Sequence, residues 1–263
     1  MFHQLRFFLL ALALLVLFLA QACVGTNRGE PPAKAVTKNG PAVKVALFLD
    51  RTGSWSEMRI KPVAAEDIKP LLDLIAQTGG EIAFGIIREQ SNRPLVRARI
   101  DPPPVKPEEP KKGNPLKDVE ERAKYQTLRA KYDDDKRQWE SDKDQKLQRF
   151  LAEIKPLVDQ EPDARVTDIW NAVARAELFL LEKDSSAAAS QHSYLVLITD
   201  GLETASGKPV VLKSQAKVVL VNGAGKIGAL EPLNPIRFEG LEAAMRWISA
   251  TELGEKKNAE YTH

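Results

Sequence analysis

With 38 Lys and Arg against 36 Asp and Glu in 263 residues, the chain has a formal net charge of +2 at pH 7. A surface so balanced sets up no global basic field, and with no DNA- or RNA-binding motif present it argues against nucleic acid as a partner. A single cysteine excludes an internal disulfide, and the three histidines, His3, His192 and His263, do not build a Ser-His-Asp triad or a His-rich zinc site.

In chain order, residues 1–22 read as a secretory signal. Arg6 precedes an apolar stretch from Phe7 to Leu19, followed by the short residues of Ala20-Gln21-Ala22. The stretch is shorter than the ~20 residues a membrane-spanning helix needs. Ala20-Gln21-Ala22-Cys23 resembles the lipobox of bacterial lipoproteins, with Ala first where Leu is usual. That resemblance implies an acylated Cys23 and, because Val24 and not Asp follows, a place on the outer membrane of the bacterial envelope, facing the periplasm or the cell surface. A retained N-terminal anchor is the alternative. Residues 23–42 then form the lipidated end and a Pro- and Gly-containing tether, about 25 Å from end to end if flexible.

A domain at 43–253 follows, interrupted at 101–158, with a polar tail at 254–263. Val43 to Leu49 and Tyr194 to Thr199 are apolar runs suited to strands buried on both faces of a parallel sheet. Between them, Ile60, Ala64, Ile68, Leu71, Leu72 and Ile75 recur at helical spacing. Pro70 is expected to kink or split that helix, and Gly79-Gly80 to stop it. Glu81 to Arg88 reads as a strand. From Leu95 to Ile100, Arg97 and Arg99 alternate with Val96, Ala98 and Ile100, the pattern of a half-exposed edge strand, and the short preceding link makes it antiparallel. Lys217 to Asn222 is a further strand, Ile236 to Phe238 a candidate sixth, and Leu241, Ala244, Met245, Trp247 and Ile248 mark a closing helix. The fold class is therefore α/β: a doubly wound, mostly parallel sheet of Rossmann-like kind with one antiparallel edge strand and a long helical insertion.

The insertion opens with the proline-rich stretch Asp101 to Pro115, expected to be extended and unable to pack tightly. Leu116 to Lys155 holds no Gly or Pro and several acid-before-base pairs at i, i+4, which predicts a helix about 60 Å long. Tyr125, Leu128, Tyr132, Trp139, Leu147, Phe150 and Ile154 fall on one stripe. Two readings stand: the stripe packs on the domain or on a second half turned back at Asp133-Asp134-Asp135, or the helix protrudes and recruits a partner. The flanking links predict an insertion separable from the fold.

The candidate chemistry sits in three separated segments: Asp50-Arg51-Thr52-Gly53-Ser54 after the first strand, Thr167-Asp168, and Thr199-Asp200-Gly201 after a later one. Sheets of this class bind ligands at the carboxyl ends of their strands. Two carboxylates and three hydroxyls meeting there match the all-oxygen shell of a hard divalent cation. Carboxylates about 4 Å apart repel by roughly 4 kcal/mol at an effective dielectric of ~20. A cation, a proton or a basic side chain such as Arg51 must compensate. The competing reading has Asp50 and Asp200 merely capping turns or helices.

In order and on these elements, the segments resemble the von Willebrand factor type A domain and its metal-ion-dependent adhesion site, whose motif is D-x-S-x-S, a Thr, and an Asp closing a central strand. The resemblance implies that Asp50, Thr52, Ser54, Thr167 and Asp200 surround Mg²⁺, or Mn²⁺ or Ca²⁺. Thr52 stands where Ser is usual, and Arg165-Val166 where glycines are common. Thr167 to Val173 is similar to the family's helix start, with Thr167 also a candidate N-cap. Trp55 and Arg51 become candidate contacts with a partner. The implied function is a lipid-anchored, divalent-metal-dependent protein-binding module, another protein supplying an acidic side chain to the metal. A metal-independent scaffold lipoprotein acting through the insertion is the alternative. A Mg²⁺-dependent phosphohydrolase of haloacid-dehalogenase type ranks lower, since its second Asp, two residues on, is here Thr52 and the general acid is missing. With no Gly-rich phosphate loop either, no enzyme is expected.

Overall fold

The computed structural model describes residues 42–53, 63–110, 115–182, 191–221 and 227–254. Cys23 with its signal and tether, Ser54, Trp55 and the polar tail beyond Gly254 lie outside them. No helix of the described residues is long and apolar enough to cross a membrane.

Six strands form one sheet in the order β3-β2-β1-β4-β5-β6. They are β1 (Ala42–Asp50), β2 (Gly80–Ile87), β3 (Val96–Ile100), β4 (Gln191–Ile198), β5 (Lys217–Val221) and β6 (Ile236–Phe238). Every neighbouring pair is parallel except β2 with β3, so β3 is the antiparallel edge strand its alternating arginines predict. Ile236–Phe238 does form the sixth strand, pairing with β5 at the opposite edge. The order reverses between β1 and β4, and a sheet of this kind binds ligands at that switch point.

Among the described residues four helices accompany the sheet: α1 (Lys69–Thr78), α2 (Pro115–Asp159), α3 (Ile169–Leu181) and α4 (Leu241–Leu253). Alternation along β1 divides the core in two. Val43, Val45, Leu47 and Leu49 pack with α1, α4 and the end of α2, while Ala46 and Phe48 pack with α3 on the other face. Pro70 splits the first helix as expected: a 3-10 turn at Ala65–Ile68 ends where α1 begins, and the proline sits in the first turn of α1, where its missing N–H costs nothing. Gly79 caps α1 with φ of 77°. At Gly80 a Cβ would lie 2.1 Å from the Val43 carbonyl oxygen, so the chain needs glycine where β2 meets β1.

Lys44 interrupts the apolar run of β1 in sequence but not in packing. Its side chain is buried on the α3 face, where Nζ donates to the Glu182 carbonyl at 2.8 Å, lies 3.5 Å from the Glu81 carboxylate and sits 4.6 Å above the Phe179 ring. Each proton of the ammonium thus meets an acceptor or a π face, which lets a charge stay inside.

The insertion combines parts of both readings, its end packing on the domain and its earlier part lying exposed, without the turned-back half. Helix α2 is continuous for 45 residues, about 67 Å, straight through Asp133-Asp134-Asp135, so no second half turns back. Its last turns belong to the core: Phe150, Ile154 and Val158 are 1%, 0% and 5% exposed within the cluster of α1 and α4. The insertion is therefore not separable as a whole. Its earlier part stands away from the sheet, with Val119 and Leu128 exposed. The proline-rich link touches the helix without burying any residue from Asp101 to Pro110. Trp139 Nε1 donates to the Asp101 carbonyl at 2.8 Å, and Tyr125 Oη donates to Glu109 Oε1 at 3.4 Å. From Asp101 to Glu109 an extended chain covers about 25 Å, and from Trp139 back to Tyr125 the helix covers about 21 Å. These two contacts set the link antiparallel to the helix, and prolines, lacking N–H donors, do not extend it as a strand.

Candidate functional site

Asp50 is the last residue of β1 and wholly buried. Its Oδ1 accepts from the Thr52 backbone N–H at 2.9 Å and from Thr52 Oγ1 at 2.6 Å, and its Oδ2 accepts from Thr199 Oγ1 at 2.6 Å. Burial pushes the Asp50 carboxyl above the usual carboxylate range; the hydrogen bonds from Thr199 and Thr52 oppose this, and the negative charge of Asp200 adds to it.

Beyond Asp50 the chain leaves β4 and runs beside the segment before α3. The Arg51 N–H donates to the Ile87 carbonyl at 3.0 Å, the Ala164 N–H to the Arg51 carbonyl at 3.3 Å and the Gly53 N–H to the Ala164 carbonyl at 3.0 Å. Thr52 and Ala164 form a parallel bridge. This pairing carries the chain to Thr167, three residues after Ala164 and 2% exposed. The N-cap of α3 is not Thr167 but Asp168, whose Oδ1 accepts from the Asn171 N–H at 3.3 Å. Thr167 stands one residue too early to reach the first turn.

Asp200 follows β4 and is 4% exposed. Oδ1 accepts from the Leu202 N–H at 2.9 Å, whereas Oδ2 is buried with no hydrogen-bond partner among the described residues. A buried carboxylate oxygen left without a donor is costly. Such an oxygen is what a cation ligand looks like before the cation is considered, so the donor set fits a hard divalent ion. No cluster of three or more His, Cys, Asp or Glu side chains suited to a metal occurs among the described residues, and the set here is two carboxylates with hydroxyls.

Of the predicted residues, Asp50, Thr52, Thr167 and Asp200 are all buried; Thr52 bonds to Asp50, and the Thr167 backbone is tied to the loop that follows Asp200. Arg51 does not play either role foreseen for it. It is 9% exposed, its Nε is buried without a partner among the described residues, and burial pushes its pKa down while Glu161 and Asp163 raise it. The charges that surround it are those of the 159–163 segment and Arg88, and so little exposure leaves it a poor contact for a partner. His192 lies within β4, its side chain exposed and 2.7 Å from the buried Glu252 carboxylate of α4, at the other end of the strand from the site.

Three residues of the site had no role assigned from sequence, Thr199 although its segment was singled out. Thr199 holds Asp50 and accepts from the Gly201 N–H at 3.1 Å. Glu203 and Thr204 bind the backbone of the Thr167 segment. A polar side chain ending an apolar run is the one sequence signal for Thr199. Glu203 had a weaker one, a carboxylate three residues after Asp200 with no basic neighbour in sequence.

The fold and its carboxyl edge define an α/β protein with a buried acid and hydroxyl site at the switch point of a mostly parallel sheet. No family profile and no curated protein matches the chain. Among solved structures it is similar to proximal thread matrix protein 1 from the mussel byssus, at 11% identity and a TM-score of 0.39 over 80% of this chain and 48% of that one. It is similar to the conserved hypothetical protein BatB from Bacteroides thetaiotaomicron, at 12% identity and a TM-score of 0.40 over 81% and 98% of the two chains. A von Willebrand factor type A protein from Catenulispora acidiphila gives 13% identity and a TM-score of 0.34 over 82% and 43%. This chain spans a little under half the length of the first and third.

Proposed function

We propose that the chain is a divalent-cation-dependent protein-binding module of von Willebrand factor type A kind, held to the bacterial envelope by a lipid on Cys23. The observation that carries the cation reading is the buried Oδ2 of Asp200, without a partner among the described residues, together with the buried Asp50 carboxylate on which the Asp200 charge acts. Asp50, Thr52, Thr167 and Asp200 would hold the ion, with Ser54 of the same motif. Bound there, a divalent cation supplies a positive charge that can attract a carboxylate from another protein. Leu202, 51% exposed and bonded through its N–H to Asp200, gives the surface beside the site an apolar element for that partner.

The side chains argue against a hydrolase. Both oxygens of Asp50 are engaged by threonines, and the residue placed where a general acid would stand is Thr52, which donates to Asp50. The first N–H groups of α3, an anion site in many phosphate binders, are taken by the chain's own Glu203 and Asp168.

Partner capture tests the reading: immobilised wild type is expected to retain an envelope protein in Mg²⁺ and release it in chelator, and Asp200→Ala to retain none while still folded. Capture that persists in chelator supports the scaffold alternative, which works through α2. Anchoring is tested separately. Cys23→Ser should move the protein out of the membrane fraction and end labelling by fatty acid, and a wild type that takes up no label is not a lipoprotein.

A further inference from the structure

We infer that Glu203 and Thr204 are the positioning residues of this site, fixing the Thr167 segment against the Asp200 loop and so setting the affinity for a divalent cation. The inference rests on the cation-binding reading above.

Glu203 collects four backbone donors. Its Oε2 accepts from the Ile169 and Trp170 N–H groups at 2.7 and 3.3 Å, and its Oε1 from the Ala205 and Gly207 N–H groups at 3.0 and 3.4 Å. The first pair are donors that the start of α3 would otherwise leave unmet. The second pair fold the loop after Asp200 around the same carboxylate, a closure that Ser206 completes with φ of 60°. One side chain thus ties α3 to the Asp200 loop. Thr204 makes the second tie. Its Oγ1 accepts from the Thr167 N–H at 2.7 Å, its own N–H donates to the Thr167 carbonyl at 3.0 Å, and the Ala205 N–H reaches the same carbonyl at 3.2 Å. The backbone of Thr167 is held from both ends by residues that follow Asp200. Its hydroxyl and the Asp200 carboxylate can therefore keep one relative placement, though they are far apart in sequence. Residues that hold ligands in place through such contacts typically change metal affinity by about 10–100-fold when altered.

The test is Mg²⁺ titration calorimetry on the full chain in detergent, far below each protein's melting temperature. Glu203→Gln leaves one acceptor oxygen for four N–H groups and is expected to weaken Mg²⁺ binding at least about tenfold. Thr204→Val, which keeps the backbone N–H but loses the acceptor for Thr167, is expected to weaken it less. Glu177→Gln is the control. Glu177 is a buried carboxylate that accepts from the Lys213 and Ser214 N–H groups, holding the far part of the same connection away from the site. That variant is expected to melt lower with unchanged Mg²⁺ affinity. Unchanged affinity in both Glu203→Gln and Thr204→Val overturns the inference. So does an equal loss in Glu177→Gln, or the unfolding of both site variants, since the residues would then hold the fold and not the site. A wild type that binds no Mg²⁺ overturns it together with the cation reading, and the wild-type titration alone identifies that case.

Discussion

Replacing Phe150 by Ala is expected to destabilise the domain by about 3–5 kcal/mol, and Ile154→Ala by about 2–5 kcal/mol. Both side chains lie at the end of the long helix, yet they are 1% and 0% exposed among residues of β1, α1 and α4. Truncating either leaves a cavity that the flanking sheet cannot close. A domain of this size has about 5–15 kcal/mol of stability in total, so the double variant should not fold. Urea unfolding measures the losses. Leu128→Ala, on the same stripe but 47% exposed, is the control, expected within about 0.5 kcal/mol of wild type. A Phe150→Ala variant as stable as that control would mean that the helix end is not part of the core. The same placement decides how the insertion can be cut. Removing 102–156 takes Phe150 and Ile154 and should unfold the domain, whereas removing 106–138 with a short Gly/Ser bridge takes no buried residue among those described.

The sequence is most legible where one physical constraint dominates. Burial on both faces leaves β1 and β4 almost no polar choice, and the alternation of Arg97 and Arg99 in β3 has one reading in an edge strand with one side covered and the other half exposed. Strand ends then place Asp50 and Asp200 without any tertiary information. The insertion is harder because its stripe is the same over its whole length while its environment is not. Nothing local distinguishes Phe150, buried in the core, from Tyr132, half-exposed beneath Arg129. Backbone donors are invisible for a different reason. Glu203 finds its partners among N–H groups that every residue carries, so composition and spacing hold no trace of them. Arg51 misleads because adjacency in sequence to Asp50 means the opposite face at a strand end, and its charge meets the 159–163 segment instead.

The remaining large effect concerns the cation. The domain is expected to melt higher in Mg²⁺ or Mn²⁺, the stabilisation reaching about 2.7 kcal/mol at a hundredfold excess over the dissociation constant. For a domain of this size that is roughly 5–10 °C. The expectation follows from what the protein does without help: Asp50 is buried with its pKa raised, and Asp200 Oδ2 has no donor among the described residues, so each carboxylate carries a desolvation cost that a bound cation relieves. Asp200→Asn separates charge from shape. The amide keeps an acceptor for the Leu202 N–H and removes the charge that acts on Asp50, so without divalent ions it should melt no lower than wild type. In Mg²⁺ it should gain nothing. Asp50→Ala should also abolish the response, while Thr167→Ala and Ser54→Ala should weaken it, each removing one oxygen that water can partly replace. If calorimetry finds no binding at millimolar Mg²⁺, and Asp200→Asn melts far below wild type in chelator, the two aspartates serve the fold through their hydrogen bonds. The exposed length of α2 then becomes the surface through which the protein acts.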